Sequence, residues 1–275
     1  MSALETYRGG SDNWQRYFFL IVLLVFPENN GRETPLFFVV EVFRMYDIVY
    51  ILKCNVSPDE LRYSLRSVCE NMNYRKVWFY CGKPEGIEPD EYVQMVQKGN
   101  SKWERARSSL VAICKNDQIT KKFWLFNDDF YVLKPNKNTK PFHRGLLGDH
   151  IQSVEGRHGG SPTAYTRQLR TCDDQLYRAG LTTLDYALHI PILVDREKML
   201  EALRMFPRCP MFRSLYGNYA KVGGEYHKDV KVNDPTKAVD PELDFLSSSD
   251  KSFKGEVGKF LAERFPDPCK YEVKA

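Results

Sequence analysis

Residues 123–135 read FWLFNDDFYVLKP, and this stretch places two adjacent carboxylates inside an apolar run. Four apolar residues precede Asn127, Asp128 and Asp129, and the apolar pattern resumes directly after them. A run rich in aromatic residues predicts a buried strand. Adjacent carboxylates at its end are costly unless they are exposed, hydrogen-bonded or bound to a cation. The stretch therefore predicts a strand that ends in a polar site, with a solvated turn as the alternative.

The sequence before this stretch predicts a parallel sheet. Strands and helices are expected in alternation at residues 46–53, 58–72, 76–81 and 103–114. Ser57 is expected to cap the first helix, and Glu60 to close a capping box with it. This order predicts an α/β fold in which a mostly parallel central sheet is flanked by helices. Ligands of such sheets bind beyond the carboxyl ends of the strands, where Asp128 and Asp129 lie.

The sequence after residue 133 is less regular. A strand is expected at residues 184–194, and helices are expected at residues 165–180, 197–205 and 254–265. His189 lies inside the apolar stretch of the expected strand. A lone histidine in such a place is more often a hydrogen-bonded core residue than a ligand or a base.

Length and composition indicate one main domain. The chain has 275 residues, of which 43% are hydrophobic and 28% charged, with a net charge of +4. These values are ordinary for a globular domain. Residues 1–44 are expected to be an N-terminal extension outside the native fold, because the pattern of a first strand begins only after Met45. A hairpin that covers the sheet is the alternative.

The N-terminal apolar run and the cysteines bear on location. Residues 17–26 are apolar, but this run is about half of the ~20 residues that span a bilayer. No transmembrane anchor is therefore expected. The seven cysteines include no C-x-x-C pair, which favours reduced thiols in a cytoplasmic protein without a zinc site.

Several candidate binding residues are basic or acidic side chains near the expected ligand edge. No Walker, G-x-G-x-x-G, G-x-S-x-G or H-E-x-x-H motif occurs, which disfavours the enzyme classes that use them. Carboxylate oxygens suit Mg²⁺ or Mn²⁺ bound to a diphosphate. Arg62, Arg66 and Arg105 are candidates for binding phosphate, since a guanidinium group bonds to it bidentately; surface charge is the alternative. Asp47 fits either a buried structural carboxylate or a ligand of a nucleotide base.

Three stretches in order resemble the second conserved region of the Stealth proteins, a family of sugar-1-phosphate transferases. They are DELRYSLRSV (59–68), KVWFYCGKP (76–84) and FWLFNDDFYVL (123–133). DIVYILK (47–53) is similar to the family's first region, and LHIPILVDREKMLEAL (188–203) and MFRSLYGNYAKVGG (211–224) are similar to its third. The same layout resembles small phage-encoded proteins described as glycosyltransferases. The first region departs from the family, because KCNVSPD follows it in place of a W-x-x-G-S-D-like continuation.

The resemblance implies a GT-A-like nucleotide-diphospho-sugar transferase fold with a Mn²⁺ or Mg²⁺ site at Asp128 and Asp129. Asp129 is expected to be the principal ligand. Asp47 would contact the nucleoside, and Arg213 would neutralise phosphate charge together with the arginines named above. His189 would ligate the metal, bind phosphate or act as a base toward the acceptor hydroxyl.

The resemblance also implies a reaction, with alternatives. The leading hypothesis is a metal-dependent glycosyltransferase that uses a nucleotide-diphosphate sugar as donor. The alternatives are sugar-1-phosphate transfer with release of a nucleoside monophosphate, and a non-catalytic module that binds nucleotide sugars. Residues 45–135 would form the half that binds the donor, and residues 136–275 the acceptor side. A glycan, a protein and modified phage DNA stay open as acceptors, and the expected location is the cytoplasm, that of the host if the protein is phage-encoded.

Overall fold

The protein consists of two compact units. A computed structural model describes residues 21–27, 33–39, 45–135 and 140–273. The units are Met1–Arg44 and Met45–Ala275. In the first, β1 (Ile21–Pro27) and β2 (Glu33–Val39) pair in antiparallel fashion. The other residues of the segment 1–44, which was expected to lie outside the native fold, are not among the described residues.

The second unit alternates strands and helices along its first half. In chain order its elements are β3 (Tyr46–Leu52), α1 (Pro58–Asn71), β4 (Tyr74–Cys81), β5 (Glu91–Val93), α2 (Lys102–Lys115), β6 (Lys122–Phe126), β7 (Phe130–Val132), β8 (Phe142–His143), α3 (Leu147–Gly156), α4 (Ala164–Arg178), β9 (Ile192–Asp195), α5 (Arg196–Met205), α6 (Phe212–Tyr219), β10 (Glu225–Tyr226), β11 (Lys231–Val232), β12 (Phe245–Ser248), α7 (Asp250–Phe253) and α8 (Glu256–Arg264). None of the described helices is long and apolar enough to cross a bilayer.

The central sheet has the strand order β5-β4-β3-β6-β9. The first four of these strands run parallel, and β9 at the edge runs antiparallel to β6. Consecutive residues of β3, such as Ile48, Val49 and Tyr50, are fully buried because the helices cover both faces of the sheet. The predicted α/β class, with a mostly parallel sheet flanked by helices, is confirmed.

A smaller sheet, in the order β11-β12-β7, continues from the end of β6. Side chains of α1 hold its strand β7 in place. Ser64 Oγ donates to the carbonyl oxygen of Phe130 at 2.6 Å, and the backbone N–H of Val132 donates to Ser67 Oγ at 3.1 Å. Asn71 Nδ2 donates to the Val132 carbonyl at 2.8 Å. The stretch ELRYSLRSV therefore fixes the strand that follows the two aspartates.

The capping box expected at the start of α1 is wrong. Ser57 caps the helix, and its side chain accepts the N–H of Asp59 at 3.3 Å. Glu60 does not turn back to Ser57. Its carboxylate accepts a hydrogen bond from Ser248 instead, because the chain brings β12 beside the helix start.

Two expected elements have different bounds in the structure. The strand expected at residues 184–194 begins only at Ile192 and extends to Asp195. Arg213 takes the carbonyl oxygens of Leu188 and Ile190 as acceptors, so these groups do not join a strand ladder. The expected helix at residues 254–265 is α8, Glu256–Arg264, and a short helix that was not expected, α7, precedes it. The two helices are separated near Gly255, where an added Cβ would lie 2.1 Å from the carbonyl oxygen of Pro235.

Candidate functional site

The two aspartates lie in the turn that joins β6 to β7, at the carboxyl edge of the central sheet. The backbone N–H of Phe130 donates to the Asn127 carbonyl at 3.3 Å and closes this turn. Both aspartates are half-buried. Lys231 Nζ lies 2.8 Å from Asp129 Oδ2, and Ser247 Oγ donates to the same oxygen at 3.2 Å. One oxygen of Asp129 is therefore held in place by β11 and β12.

Asp128 is in a different electrostatic environment from Asp129. Burial raises the pKa of Asp128 above its usual value, and the neighbouring charge of Asp129 raises it further. Lys53 and Lys231 act in the opposite direction, but the pKa of Asp128 stays raised. A half-buried carboxylate with too little positive charge around it is stabilised by an added cation.

A third carboxylate, Glu60, adds negative charge beside the pair. Ser248 Oγ donates to Glu60 Oε1 at 2.5 Å. Burial raises the pKa of Glu60, and the charges of Asp129 and Asp128 raise it further. Among the described residues, no three His, Cys, Asp or Glu side chains come close enough to enclose a metal ion. The aspartate pair can still hold one, since Mg²⁺ is usually bound by one or two carboxylates together with substrate phosphate and water.

His189 forms a pair with Asp229. Its Nδ1 lies 2.9 Å from Asp229 Oδ2 and 3.0 Å from Oδ1, and its backbone N–H donates to Oδ1 at 3.1 Å. Burial alone would raise the pKa of Asp229, but the hydrogen bonds from His189 and the charge of Arg144 lower it to about 2. A carboxylate on Nδ1 orients the ring and leaves Nε2 able to accept a proton or a metal. His189 does not complete a three-residue metal site with the aspartates.

Arg213 lies near both His189 and Asp129. Its guanidinium carbon is 4.9 Å from the centre of the Phe130 ring, and the rings of Phe130 and His189 are nearly perpendicular, with 6.3 Å between their centres. The arginine donates to the carbonyl oxygens of Leu188, Ile190 and Leu125. Burial lowers the pKa of Arg213 to about 10, and the charges of Asp129 and Asp229 offset part of this effect. The group is charged at neutral pH, and its hydrogen bonds go to carbonyl groups rather than carboxylates.

Asp47 lies at the other end of the sheet. It pairs with Phe123 at the start of β6, and Asn127 lies four positions further along the chain, a distance of about 13 Å in an extended strand. Its carboxylate is fully buried and accepts hydrogen bonds from Arg75, Trp78 and the backbone of Thr120. This geometry does not support the expected contact of Asp47 with a nucleoside. The contacts are those of the alternative, a buried carboxylate with a structural role.

The three arginines expected at phosphate are not brought to the aspartate pair. Arg66 Nε and Nη2 donate to the two carboxylate oxygens of Glu272 at 2.6 and 2.7 Å. Arg62 lies 3.9 Å from the same carboxylate. Arg105 is exposed near the start of α2. Arg62 and Arg66 attach the C-terminal segment to α1, because Glu272 lies opposite this face of the helix.

Four residues that surround the aspartates and His189 were not identified as site residues from the sequence. Lys53 follows β3 at the same edge as Asp128, and the rule that ligands bind beyond strand ends could have identified it. Lys231, Ser247 and Asp229 come from a segment without periodicity. Their sequence separation of about 100 residues from the aspartates, seen for Lys231 and Asp129, left no local pattern to detect.

Comparison with known proteins gives a distant likeness in fold. No protein-family model matches the sequence, and no curated protein matches it. A solved structure of an active-site mutant of LgtC is similar at 10% identity and a TM-score of 0.42, over 82% of this chain and 98% of that chain. The galactosyltransferase LgtC in complex with donor and acceptor sugar analogues gives 11% identity and a TM-score of 0.40 over the same shares. At these values the likeness says nothing about substrate or activity.

Proposed function

We propose that the protein is a metal-dependent glycosyltransferase with a GT-A-like fold that uses a nucleotide-diphosphate sugar as donor. The observation that carries the proposal is the half-buried pair Asp128 and Asp129 at the carboxyl edge of the sheet. Burial and mutual repulsion raise the pKa of Asp128, and a divalent cation with a diphosphate would offset this cost. The bound cation would stabilise the negative charge of the departing nucleotide.

The two aspartates would contribute unequally. Lys231 and Ser247 hold one oxygen of Asp129, which orients the carboxylate and reduces its freedom to move toward a ligand. Asp128 lacks this fixed ion pair and would be at least an equal ligand. The expectation that Asp129 is the principal ligand therefore becomes a proposal in which both carboxylates bind, with Asp129 pre-oriented by Lys231.

His189 and Arg213 would act on the acceptor and the phosphates. With Nδ1 hydrogen-bonded to Asp229, His189 would present Nε2 as the base that takes the proton of the acceptor hydroxyl. Arg213 would place positive charge beside the transferred group or the diphosphate. Lys53, beside Asp128, would contact phosphate oxygens. The positive charges of Lys53 and Arg213 near the aspartates, and the Asp229 hydrogen bond that orients His189, support these roles.

A donor screen tests the proposal. Nucleotide sugars with uridine, guanosine, adenosine or cytidine are tested by thermal shift with and without Mn²⁺, and transfer or hydrolysis is followed by the nucleotide released. Binding at 100 times Kd stabilises the protein by about 2.7 kcal/mol. For a domain of 150–250 residues this raises Tm by roughly 5–10 °C. We expect a Mn²⁺-dependent shift with one donor.

Variants of the aspartates provide the decisive comparison. Asp128→Asn and Asp129→Asn are expected to lose the Mn²⁺-dependent shift and turnover while keeping the fold. Asp117→Asn, an exposed aspartate of a surface loop, is the matched control. Full Mn²⁺-dependent activity in either site variant would refute its role as a ligand.

The product separates the proposed reaction from its alternatives. Release of a nucleoside diphosphate supports glycosyl transfer. Release of a nucleoside monophosphate supports sugar-1-phosphate transfer, which the resemblance of residues 59–68 to the Stealth proteins favours. Binding of a nucleotide sugar without turnover supports a binding module.

A further inference from the structure

A cleft of about 290 Å³ runs along the free edge of β9. It lies between this strand, the chain around β8 and the end of α6. Its aromatic lining consists of Trp124, Phe142, Tyr186 and Tyr216. The volume is near the lower end of the ~300–1,000 Å³ that is typical of sites for small ligands. It suits one or two sugar residues.

The charges that line the cleft are mostly positive. Lys122, Lys140, Lys198 and Arg213 line it, and Asp195 is the one carboxylate among its lining residues. Asp195 uses its carboxylate to cap α5, by accepting the N–H groups of Glu197 and Lys198. Lys140 pairs with Glu225 outside the cleft. Lys122 and Lys198 are exposed, and no carboxylate of the described residues forms an ion pair with either.

The cleft reaches the candidate site through Arg213. This residue lines the cleft, and it also donates hydrogen bonds to the carbonyl groups on both sides of His189. It is half-buried, and its hydrogen-bond partners among the described residues are carbonyl oxygens. An anion beside it would offset the cost of burying the guanidinium charge.

The wall of the cleft is already formed in the protein. An added Cβ at Gly217 would lie 2.3 Å from the ring of Tyr186, so the glycine allows this ring to pack against α6. Tyr186 Oη donates to the Gly223 carbonyl at 2.8 Å, which fixes the ring. The aromatic wall therefore needs no rearrangement to meet a ligand.

We propose that this cleft binds the acceptor and that the acceptor is an anionic sugar, which carries a phosphate or carboxylate group held by Lys122, Lys198 and Arg213. The inference rests on the proposed function and specifies its acceptor. Aromatic side chains suit the apolar face of a sugar ring, and the cations that line the cleft suit its charged group. The anion at Arg213 would bring a neighbouring hydroxyl toward His189.

Binding of simple sugars tests the proposal without a known donor. Glucose 6-phosphate, glucuronate, glucose and inorganic phosphate are titrated by ligand-observed NMR against the full chain. We expect at least one anionic sugar to bind about tenfold or more tightly than glucose, because charge-assisted hydrogen bonds are the stronger ones. Comparing the two anionic sugars distinguishes phosphate from carboxylate. Equal binding of glucose and both anionic sugars, or of inorganic phosphate and glucose 6-phosphate, would overturn the proposal.

Charge-removal variants locate the binding. The double variant Lys122→Gln/Lys198→Gln is expected to lose the preference for the anionic sugar by about tenfold. The matched control is Lys121→Gln, because Lys121 is an exposed neighbour that pairs with Glu197 and does not line the cleft. An unchanged affinity in the double variant would refute the cleft as the site.

The same variants separate this inference from the proposed function. Binding of UDP with Mn²⁺ is expected to be unchanged in Lys122→Gln/Lys198→Gln. If the unmodified protein binds no nucleotide but binds the anionic sugar through these lysines, the donor proposal fails and the cleft stands. If nucleotide binding is intact and the anionic sugar does not bind, the acceptor inference fails alone.

An independent observation concerns two thiols that are distant in sequence. Cys69 on α1 and Cys269 in the C-terminal segment are half-buried and line the same surface cleft, together with Arg66 and Glu70. The neighbouring Cys269 side chain and the hydroxyl of Tyr74, which lies 3.3 Å from the Cys69 sulfur, lower the pKa of the Cys69 thiol to about 7. A thiol with a lowered pKa beside a second thiol is the arrangement of a reactive cysteine and its resolving partner.

We also infer that Cys69 and Cys269 form a disulfide when a small-molecule disulfide is present. The Cys69 thiolate would attack one sulfur of oxidised glutathione and release one glutathione. Cys269 would then attack the Cys69 sulfur and release the second, so that two protein thiols are oxidised and one glutathione disulfide is reduced. The bond would tie the C-terminal segment to α1, where Arg66 and Glu272 already hold it.

Peptide mapping under non-reducing conditions tests this inference. After treatment of the native protein with oxidised glutathione, we expect a linked peptide that contains Cys69 and Cys269. Cys269→Ser is expected to stop at a mixed disulfide with glutathione on Cys69. Cys54→Ser is the control, because Cys54 is exposed and lies outside this cleft. A mixed disulfide on Cys69 as the final product of the unmodified protein would refute the inference.

Discussion

Replacement of Asp47 distinguishes a structural carboxylate from one that binds a nucleoside. The sequence allows both roles. In the structure the carboxylate is fully buried and accepts hydrogen bonds from Arg75 Nε at 2.7 Å, Arg75 Nη2 at 2.5 Å, Trp78 Nε1 at 3.1 Å and the N–H of Thr120 at 3.0 Å. We therefore expect Asp47→Ala to reduce stability and to leave nucleotide affinity unchanged.

The size of the effect follows from what each partner loses. The side chain of Arg75 is 39% exposed, so it can turn to water, and loss of its charge-assisted bonds costs about 1.5–3 kcal/mol. Trp78 is 2% exposed, so its indole N–H is left without an acceptor, at a cost of about 1–3 kcal/mol. The expected loss is about 3–5 kcal/mol, which is also typical of breaking a buried ion pair. In a domain of 150–250 residues it lowers Tm by roughly 6–20 °C.

Urea unfolding and nucleotide binding give the two readouts. The free energy of unfolding is measured for the unmodified protein, Asp47→Ala and Asp47→Asn, with Asp117→Ala as an exposed control expected to change it by less than about 0.5 kcal/mol. Asp47→Asn keeps the shape of the side chain and is expected to lose about 1.5–3 kcal/mol, because it loses the charge that Arg75 binds. UDP with Mn²⁺ is then titrated at a temperature where all variants are folded.

Two results would refute this reasoning about Asp47. A loss of stability below about 1 kcal/mol in Asp47→Ala would show that the buried bonds matter little, because a single net hydrogen bond is of that size. A fall in nucleotide affinity in Asp47→Asn, with the fold intact, would support the nucleoside contact expected from the resemblance.

Three further predictions concern the site and its support. The pKa of Asp229 is about 2 in the folded protein, against an ordinary value of 3.8. Its ionised form therefore stabilises the fold at pH values above 3.8, and this stabilisation is lost as the pH falls through about 2. Asp229→Asn is therefore expected to cost about 2 kcal/mol at pH 7, and urea titrations should show the difference vanishing near pH 2. Lys231→Met removes a charge that lowers the pKa of Asp128, so protons should compete with Mn²⁺ at a higher pH. As the pH is lowered, Mn²⁺ affinity measured by calorimetry should begin to fall at a higher pH than in the unmodified protein; identical pH profiles would contradict this. An added Cβ at Gly82 would lie 1.9 Å from a backbone carbonyl oxygen just after β3, so Gly82→Ala is expected to cost about 1–3 kcal/mol or more, whereas Gly148→Ala, with open space around it, should be neutral or slightly stabilising by thermal unfolding.

The parts of the fold and of the site that depend on local sequence patterns could be predicted. The alternation of apolar strands and amphipathic helices predicted the parallel sheet, and the position of Asp128 and Asp129 after an aromatic strand predicted where they lie on it. The prediction for Glu60 was wrong, because a capping box is a local pattern and Ser248, far along the chain, offers this carboxylate a better-placed donor. Arg66 was predicted to bind phosphate, but it donates to Glu272, which lies about 200 residues away in the sequence and is therefore not part of any local pattern.

The sequence by itself determined the α/β class, the strands β3, β4 and β6 of the central sheet and the turn that carries the two aspartates, because each depends on the periodicity of neighbouring residues. Tertiary structure alone decided the surroundings of that turn. Lys231 approaches Asp129, and Asp229 approaches His189, across long stretches of irregular chain. Contacts of this kind depend on how sheets and helices pack, and local pattern carries no information about them. The residues of α1 that resemble a known family are explained only in three dimensions, where Ser64 and Ser67 bind the strand that follows the aspartates.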